Sequence, residues 1–244
     1  MKPFLKQLID CIESWVLIGA FIIFIILIFG HLPTGEKKNK AITPAVLQER
    51  IQQTRTYVAI LETINYYKTN NDDNGYSQNA EHLLQVWNFC KVYAPMITED
   101  CWIEQLRQPE TYKAKIRAEI ESIDIPLFMF CLCSDESGFQ PDAIHINKNK
   151  SQDSGITQIN QTCQSEITAR MQITDFKDRP WTDMEKNIAG RYIWIMMRAK
   201  DGMAWKQMTK RRGWKLYKLI SEKIKNFQLT QGGSDERYTT TAAD

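Results

Sequence analysis

"CSDESGFQPDAIHINKNKSQDSGITQIN", Cys133 to Asn160, joins two unlike kinds of sequence. Just upstream, Ile125-Pro126 opens "IPLFMFCLC", a very apolar run that reads as a short buried helix whose last turn carries Asp135 and Glu136. Downstream, residues 138–154 lack apolar periodicity and are rich in Asn, Lys, Ser and Asp, as an exposed loop or short hairpin would be. Another acid, Asp153, then stands just before Gly155. A carboxyl with one side against Phe, Met, Leu and Cys is partly desolvated, which disfavours its anion. Such a group can keep a proton and donate it to a leaving oxygen. Asp135 points about 100° away around the helix and need not share that environment. On position alone, an acid at a helix end is most often a solvated surface group.

The motifs around Glu136 favour the chemical reading. "ESGFQPDAI" followed by "GITQIN" resembles the two leading motifs of the lysozyme-like superfamily, which in lytic transglycosylases read approximately Glu-Ser-x-Phe-x-Pro-x-Ala and Gly-Leu-Met-Gln-Ile. "NIAGRYI", from Asn187, resembles that family's Asn-Ile-x-x-Gly helix, so the likeness covers Ile125 to about Phe227. The chain also resembles the small transglycosylases of secretion and conjugation machines, whose second motif often ends in Gln-Ile-Asn. The resemblance implies that Glu136 is the catalytic acid and then base, cleaving between N-acetylmuramic acid and N-acetylglucosamine and closing a 1,6-anhydro ring. Asp153 lies 153 − 136 = 17 positions later, where c-type lysozymes, also similar here, carry their second acid. It reads either as a catalytic partner or as a turn residue before glycine. With a second carboxylate about 5 Å away, a retaining hydrolase is the alternative. Gln158 matches the motif glutamine, which contacts substrate; its other reading is satisfaction of loop backbone. Ser137 matches the motif serine, or simply caps the helix end. Tyr192 is a candidate to line the cleft, or a core aromatic.

The chain departs from the family in two places. Thr157 stands where methionine is usual, and the Tyr-Asn-x-Gly signature expected after Trp205 is replaced by "KQMTKRRGWKLY". Arg211, Arg212 or Tyr217 are candidates to stand in for that tyrosine, which in the family positions the glutamate. This departure keeps an inactive glycan-binding scaffold open as a third reading.

Working outward, the rest of the soluble part reads as helices. Thr43-Pro44 is an N-cap and first turn, followed by a stripe of Leu47, Ile51, Thr54, Val58 and Leu61. "NNDDNG" at 70–75 is a break; Ser77 opens a helix running towards Pro95, and Thr98 and Pro109 open two more. Thr182-x-x-Glu185 is a capping box for the helix ending near Gly202, and a last helix spans about Trp214 to Phe227. The expected fold is mainly α, of α+β lysozyme-like type, with a small β-hairpin. Expected boundaries are an N-terminal cytoplasmic stub at 1–13, an anchor at 14–34, a helical region of unassigned role at 35–120, the catalytic domain at 121–228, and a flexible tail at 229–244.

The anchor rests on composition. Ser14 to Gly35 carries no Lys, Arg, Asp or Glu, and an apolar helix of roughly 20 residues spans a bilayer core. "GHLPTG" is a poor cleavage site for a signal peptide. Lys37, Lys38 and Lys40 outnumber Lys2 and Lys6, a one-charge bias towards a cytoplasmic C-terminal part. Work on the cell wall requires the opposite: an inner-membrane protein with its catalytic domain in the periplasm. The balance of 31 basic and 29 acidic residues gives no basic face for nucleic acid. The expected partners are peptidoglycan strands, the membrane through 14–34, and secretion or conjugation machinery. No cofactor or metal is expected: Cys131-x-Cys133 has no second pair at zinc spacing. The six cysteines allow one or two disulfides or several buried thiols.

Overall fold

A computed structural model describes residues 44–70, 75–99, 101–170, 183–200 and 212–235. The 14–34 span, the caps expected at Thr43 and Thr182, Gly202 and Arg211 lie outside the described residues. Among the described residues no helix is long and apolar enough to cross a membrane.

In chain order the elements are α1 (Pro44–Thr69), α2 (Ala80–Tyr93), α3 (Pro95–Thr98), α4 (Cys101–Glu104), α5 (Glu110–Glu121) and α6 (Ile125–Ser137). Strands β1 (Ile144–Ile146), β2 (Gln152–Ser154) and β3 (Ile159–Asn160) follow, and then α7 (Gln161–Arg170), α8 (Met184–Ala199) and α9 (Arg212–Asp235). The architecture is mainly helical with one small three-stranded sheet, consistent with the lysozyme-like α+β fold. Pro44–Asp244 forms one compact unit.

Helix α6 is the centre of that unit. Pro126 sits in its first turn and Asp124 caps it, the carboxylate accepting from Leu127 N. Ile125 and every residue from Leu127 to Ser134 are buried, so the helix is covered on all sides. Each large apolar side chain so buried contributes about 1.5–3 kcal/mol relative to exposure. Helices α2 and α9 pack against it. Gly213, at the start of α9, has its N–H on Asp135 Oδ1 at 3.3 Å. A Cβ at that glycine would stand 2.5 Å from the Cys131 carbonyl oxygen, so only glycine permits this approach of α9 to α6.

The region before residue 120 braces the same helix. From α1, Arg55 pairs with Asp124 at the start of α6, while the Tyr67 hydroxyl meets Ser134 Oγ at 2.6 Å near its end. The buried face of α1 is Ala59, Thr63 and Tyr67, at i, i+4 spacing, together with Val58. Leu61, placed in the expected stripe, is 38% exposed. Thr63 is fully buried on that face with its hydroxyl on Ala59 O, while the Leu47 and Ile51 side chains lie outside the described residues.

Three boundaries differ from expectation. Helix α2 begins at Ala80, three residues after the expected start at Ser77: Asn79 is the cap, accepting from His82 N, and Ser77 is buried. Helix α8 is capped by Asp183, one place after the expected Thr182, accepting from Lys186 N, and Glu185 Oε1 receives the Tyr93 hydroxyl. Helix α9 continues to Asp235, past the end expected at Phe227, since extending a formed helix is far easier than starting one. The stretch after Asn160 is also helical (α7), with Ile167 as its buried apolar contact; Asn160 Oδ1 accepts from Thr162 N.

The described cysteines are free thiols. Cys90, Cys131 and Cys133 are buried, and burial pushes the Cys90 and Cys131 thiols well above their usual range.

Candidate active site

Glu136 lies in the last turn of α6. The helix stops at Gly138, whose φ of 61° is left-handed, and the Gly138 N–H returns to Ser134 O. Phe139 follows with φ of 70°, a conformation costly for a bulky residue. It is held there by complete burial against Phe130 and Tyr67 and by His82 Nε2 donating to its carbonyl at 2.8 Å. This tightly determined reversal turns the chain away immediately after the acid.

The Glu136 side chain is 15% exposed, so it is neither free in bulk solvent nor fully enclosed. The apolar walls expected from sequence are present in α6, but a charge is present too. Arg191, from the middle of α8, donates from a guanidinium N–H to Glu136 Oε1 at 2.8 Å and is itself only 9% exposed. Its guanidinium also lies 4.2 Å from the centroid of the Trp194 ring. Asp135, one residue earlier, faces α9 through Gly213, in keeping with the 100° separation of neighbours.

The hairpin expected at 138–154 is present and gains a third strand. Strand β1 pairs antiparallel with β2 in the register Ile144↔Ser154, His145↔Asp153, Ile146↔Gln152, and β2 pairs with β3 through Asp153↔Asn160 and Ser154↔Ile159. Asp153 is thus a strand residue, not a turn residue, and accepts from Asn160 Nδ2 at 2.6 Å. Between β2 and β3, Gly155 to Gln158 form a tight loop, with Gly155 at φ 80° and Gln158 at φ 51°.

That loop is tied to both flanking helices. Ser137 Oγ donates to Ile156 O at 2.8 Å, so the serine beside Glu136 joins the helix end to the loop. From α8, Asn187 Oδ1 accepts from Thr157 N and from Thr157 Oγ1, each at 2.7 Å, and its Nδ2 donates to Ser154 O at 2.9 Å. Thr157, the departure from the family's methionine, is therefore fully buried and hydrogen-bonded. The loop glycine is required by proximity as well as by φ: a Cβ on Gly155 would stand 2.2 Å from Asn187 Nδ2.

Ser137 and the Gln158 loop are brought to Glu136, but two other candidates take different places. Gln158 spends its Nε2 on backbone, donating to Ala143 O at 2.9 Å and Gly155 O at 2.8 Å. Tyr192 is fully buried, its hydroxyl donating to Cys90 O at 2.7 Å; it belongs to the core, where burial raises it well above the usual tyrosine range. Tyr217, considered as a substitute for the missing tyrosine, accepts from Asp124 N at 2.9 Å and stacks on Trp214. That contact is at the opposite end of α6 from Glu136, about 18 Å away at 1.5 Å per residue, so Tyr217 does not stand in. Arg212 starts α9, and nothing further follows for it.

Arg191 was not among the expected residues. Set against Asn-Ile-x-x-Gly, the run Asn187-Ile188-Ala189-Gly190-Arg191 has its glycine one place early, and arginine stands in the glycine position. That displacement was the available signal.

Comparison with known families gives one match, the transglycosylase SLT domain, over residues 114–209. It starts within α5 and includes α6, the sheet, α7 and α8, leaving α1 to α4 outside. No curated protein and no solved structure matches the chain significantly. Members of the matched family are peptidoglycan lytic transglycosylases, enzymes that cleave glycosidic bonds. Residues 114–209 thus match the transglycosylase SLT domain, which supports a likeness to the lysozyme-like lytic transglycosylase superfamily.

Proposed function

We propose that this chain is a membrane-anchored lytic transglycosylase that opens peptidoglycan locally, from the periplasmic side of the inner membrane, for a secretion, conjugation, pilus or phage apparatus. Glu136 acts twice. As an acid it gives its proton to the oxygen between N-acetylmuramic acid and N-acetylglucosamine, and the glycosidic bond breaks. As the resulting carboxylate it takes the proton of the muramyl C6 hydroxyl, whose oxygen closes on C1. The carboxyl is regenerated and no water is consumed. The observation that carries this reading is the placement of Glu136: 15% exposed, at a helix end fixed by Gly138 and Phe139, and joined through Ser137 to the loop of the second motif.

The test is product analysis by mass spectrometry, after the full-length chain has digested purified peptidoglycan. Muropeptides ending in an anhydro sugar, one water lighter than hydrolysis products, are expected. Reducing ends in their place would assign Glu136 and Asp153 to a retaining hydrolase instead.

The uncharged segment at 14–34 supports the anchor, and tethering confines cleavage to one place at high local concentration. Exposure to protease from outside the inner membrane is expected to digest the C-terminal part in spheroplasts. Protection there, with cleavage only after lysis, would reverse the orientation.

A further inference from the structure

We propose that Arg191 is the positioning residue for Glu136, and that with Asn187 it sets the distance between the acid and the second-motif loop. This rests on the reading of Glu136 as the reacting group.

The argument starts from helix geometry. Asn187 and Arg191 are four residues apart, so they project from the same face of α8, one turn after the other. Asn187 grips the loop through Thr157 and Ser154, and Arg191 grips Glu136. One rigid turn of helix therefore spans the two sides of the site. Both grips are buried: Asn187 is fully so and Arg191 is 7% exposed as a residue. Such contacts hold one geometry, because water does not readily compete for the buried Asn187 and Arg191 side chains.

The chemistry of arginine suits this task. Its guanidinium is planar and permanently charged, and here it is fixed between a carboxylate and the face of Trp194. It holds the Glu136 rotamer before reaction, and it faces the carboxylate that Glu136 becomes once its proton has gone to the leaving oxygen. The alternative holder, Tyr217, is excluded by its place at the other end of α6. Arginine in the glycine position of the Asn-Ile-x-x-Gly run is thus matched to a job at the acid.

The test compares Arg191→Gln and Arg191→Lys with the parent, using the full-length chain on soluble glycan strands, with thermal unfolding followed in parallel. Arg191→Gln is expected to lower kcat by about 100-fold, the scale of a small misplacement of a reacting group. KM is expected to stay within about twofold, since the residue acts through Glu136 and not on the sugar. Arg191→Lys keeps the charge and the aliphatic stem but loses the fork, and is expected to recover about tenfold of that loss. A purely structural role would lower melting temperature and active fraction without this graded kcat response. If Arg191→Gln fails to fold, Arg191→Lys decides: kcat within about twofold of the parent overturns the proposal. Glu136→Gln, run alongside, separates the two claims. If it stays active, the reading of Glu136 fails; if it is inactive while both Arg191 variants keep full kcat, only the positioning role fails.

Discussion

Glu136→Gln is expected to lower muralytic turnover by about 10³–10⁴-fold while the chain stays folded. The size follows from the double use of one side chain. A carboxamide has no proton to give to the glycosidic oxygen and no basic site for the C6 hydroxyl, so both halves of the reaction lose their catalyst. The fold survives because the substitution is nearly isosteric, and the amide oxygen still accepts the Arg191 N–H that now reaches Glu136 Oε1 at 2.8 Å. What is lost is the charge opposite a guanidinium that is 9% exposed. Removing one partner of a buried pair outright costs about 3–5 kcal/mol, and retention of the hydrogen bond brings this down to about 1–3 kcal/mol. That is within the margin of an ordinary domain. Peptidoglycan clearance together with circular dichroism checks both halves. Retention of more than a tenth of parental turnover in a folded variant would remove Glu136 from the mechanism. A parent that binds glycan strands without cleaving them would support the scaffold reading.

The placement of Glu136 at a half-buried helix end could be read from sequence because its two cues are local. A run of apolar residues ending in Glu136 makes a buried helix with a semi-exposed last turn, and "ESGFQPDAI" and "GITQIN" lie within 25 positions of each other. Both cues survive folding unchanged. The one local cue for Arg191, its place in the glycine position, does not name its partner, which depends on where α8 lands relative to α6, a contact across 55 positions. Its neighbour Tyr192 drew attention as an aromatic in the same run, but one residue is 100° of helix, enough to separate the site from the core. Gln158 failed to show its orientation for the same reason: which backbone carbonyls its amide meets depends on loop closure. The role of the region before residue 120 was equally hidden, because Arg55 and Tyr67 acquire theirs only by reaching Asp124 and Ser134, each more than 60 positions away. Caps were misplaced by a residue or two because Ser, Thr, Asp and Asn all suit the position, and adjacent candidates compete on backbone geometry alone.

Asn187→Ala is expected to destabilise the protein by about 2–6 kcal/mol and to abolish measurable turnover at physiological temperature. Two buried groups lose the partner that Asn187 gives them: Thr157 N, now donating to Asn187 Oδ1, and Ser154 O, now accepting from Nδ2, while Thr157 Oγ1 keeps the Asn187 carbonyl at 3.3 Å. Thr157 is 0% exposed and Ser154 3%, so water does not reach them in the folded state without opening the loop. Each orphaned group costs about 1–3 kcal/mol, and a domain with about 5–15 kcal/mol in hand loses much of its margin. The side-chain atoms that Gly155 packs against, Asn187 Nδ2, Cγ and Oδ1, go as well, so the loop of Gly155 to Gln158 loses its nearest neighbour on α8 together with its hydrogen bonds. Asn187→Asp discriminates between a lost hydrogen bond and a lost volume. It preserves both acceptor bonds to Thr157 but sets a carboxylate oxygen against Ser154 O, so it is expected to unfold at lower denaturant than the parent despite equal size. Chemical denaturation of the three proteins measures this directly. A loss below about 1 kcal/mol in Asn187→Ala would mean that the loop holds its shape without α8, and the one-turn coupling of Asn187 and Arg191 would fall with it.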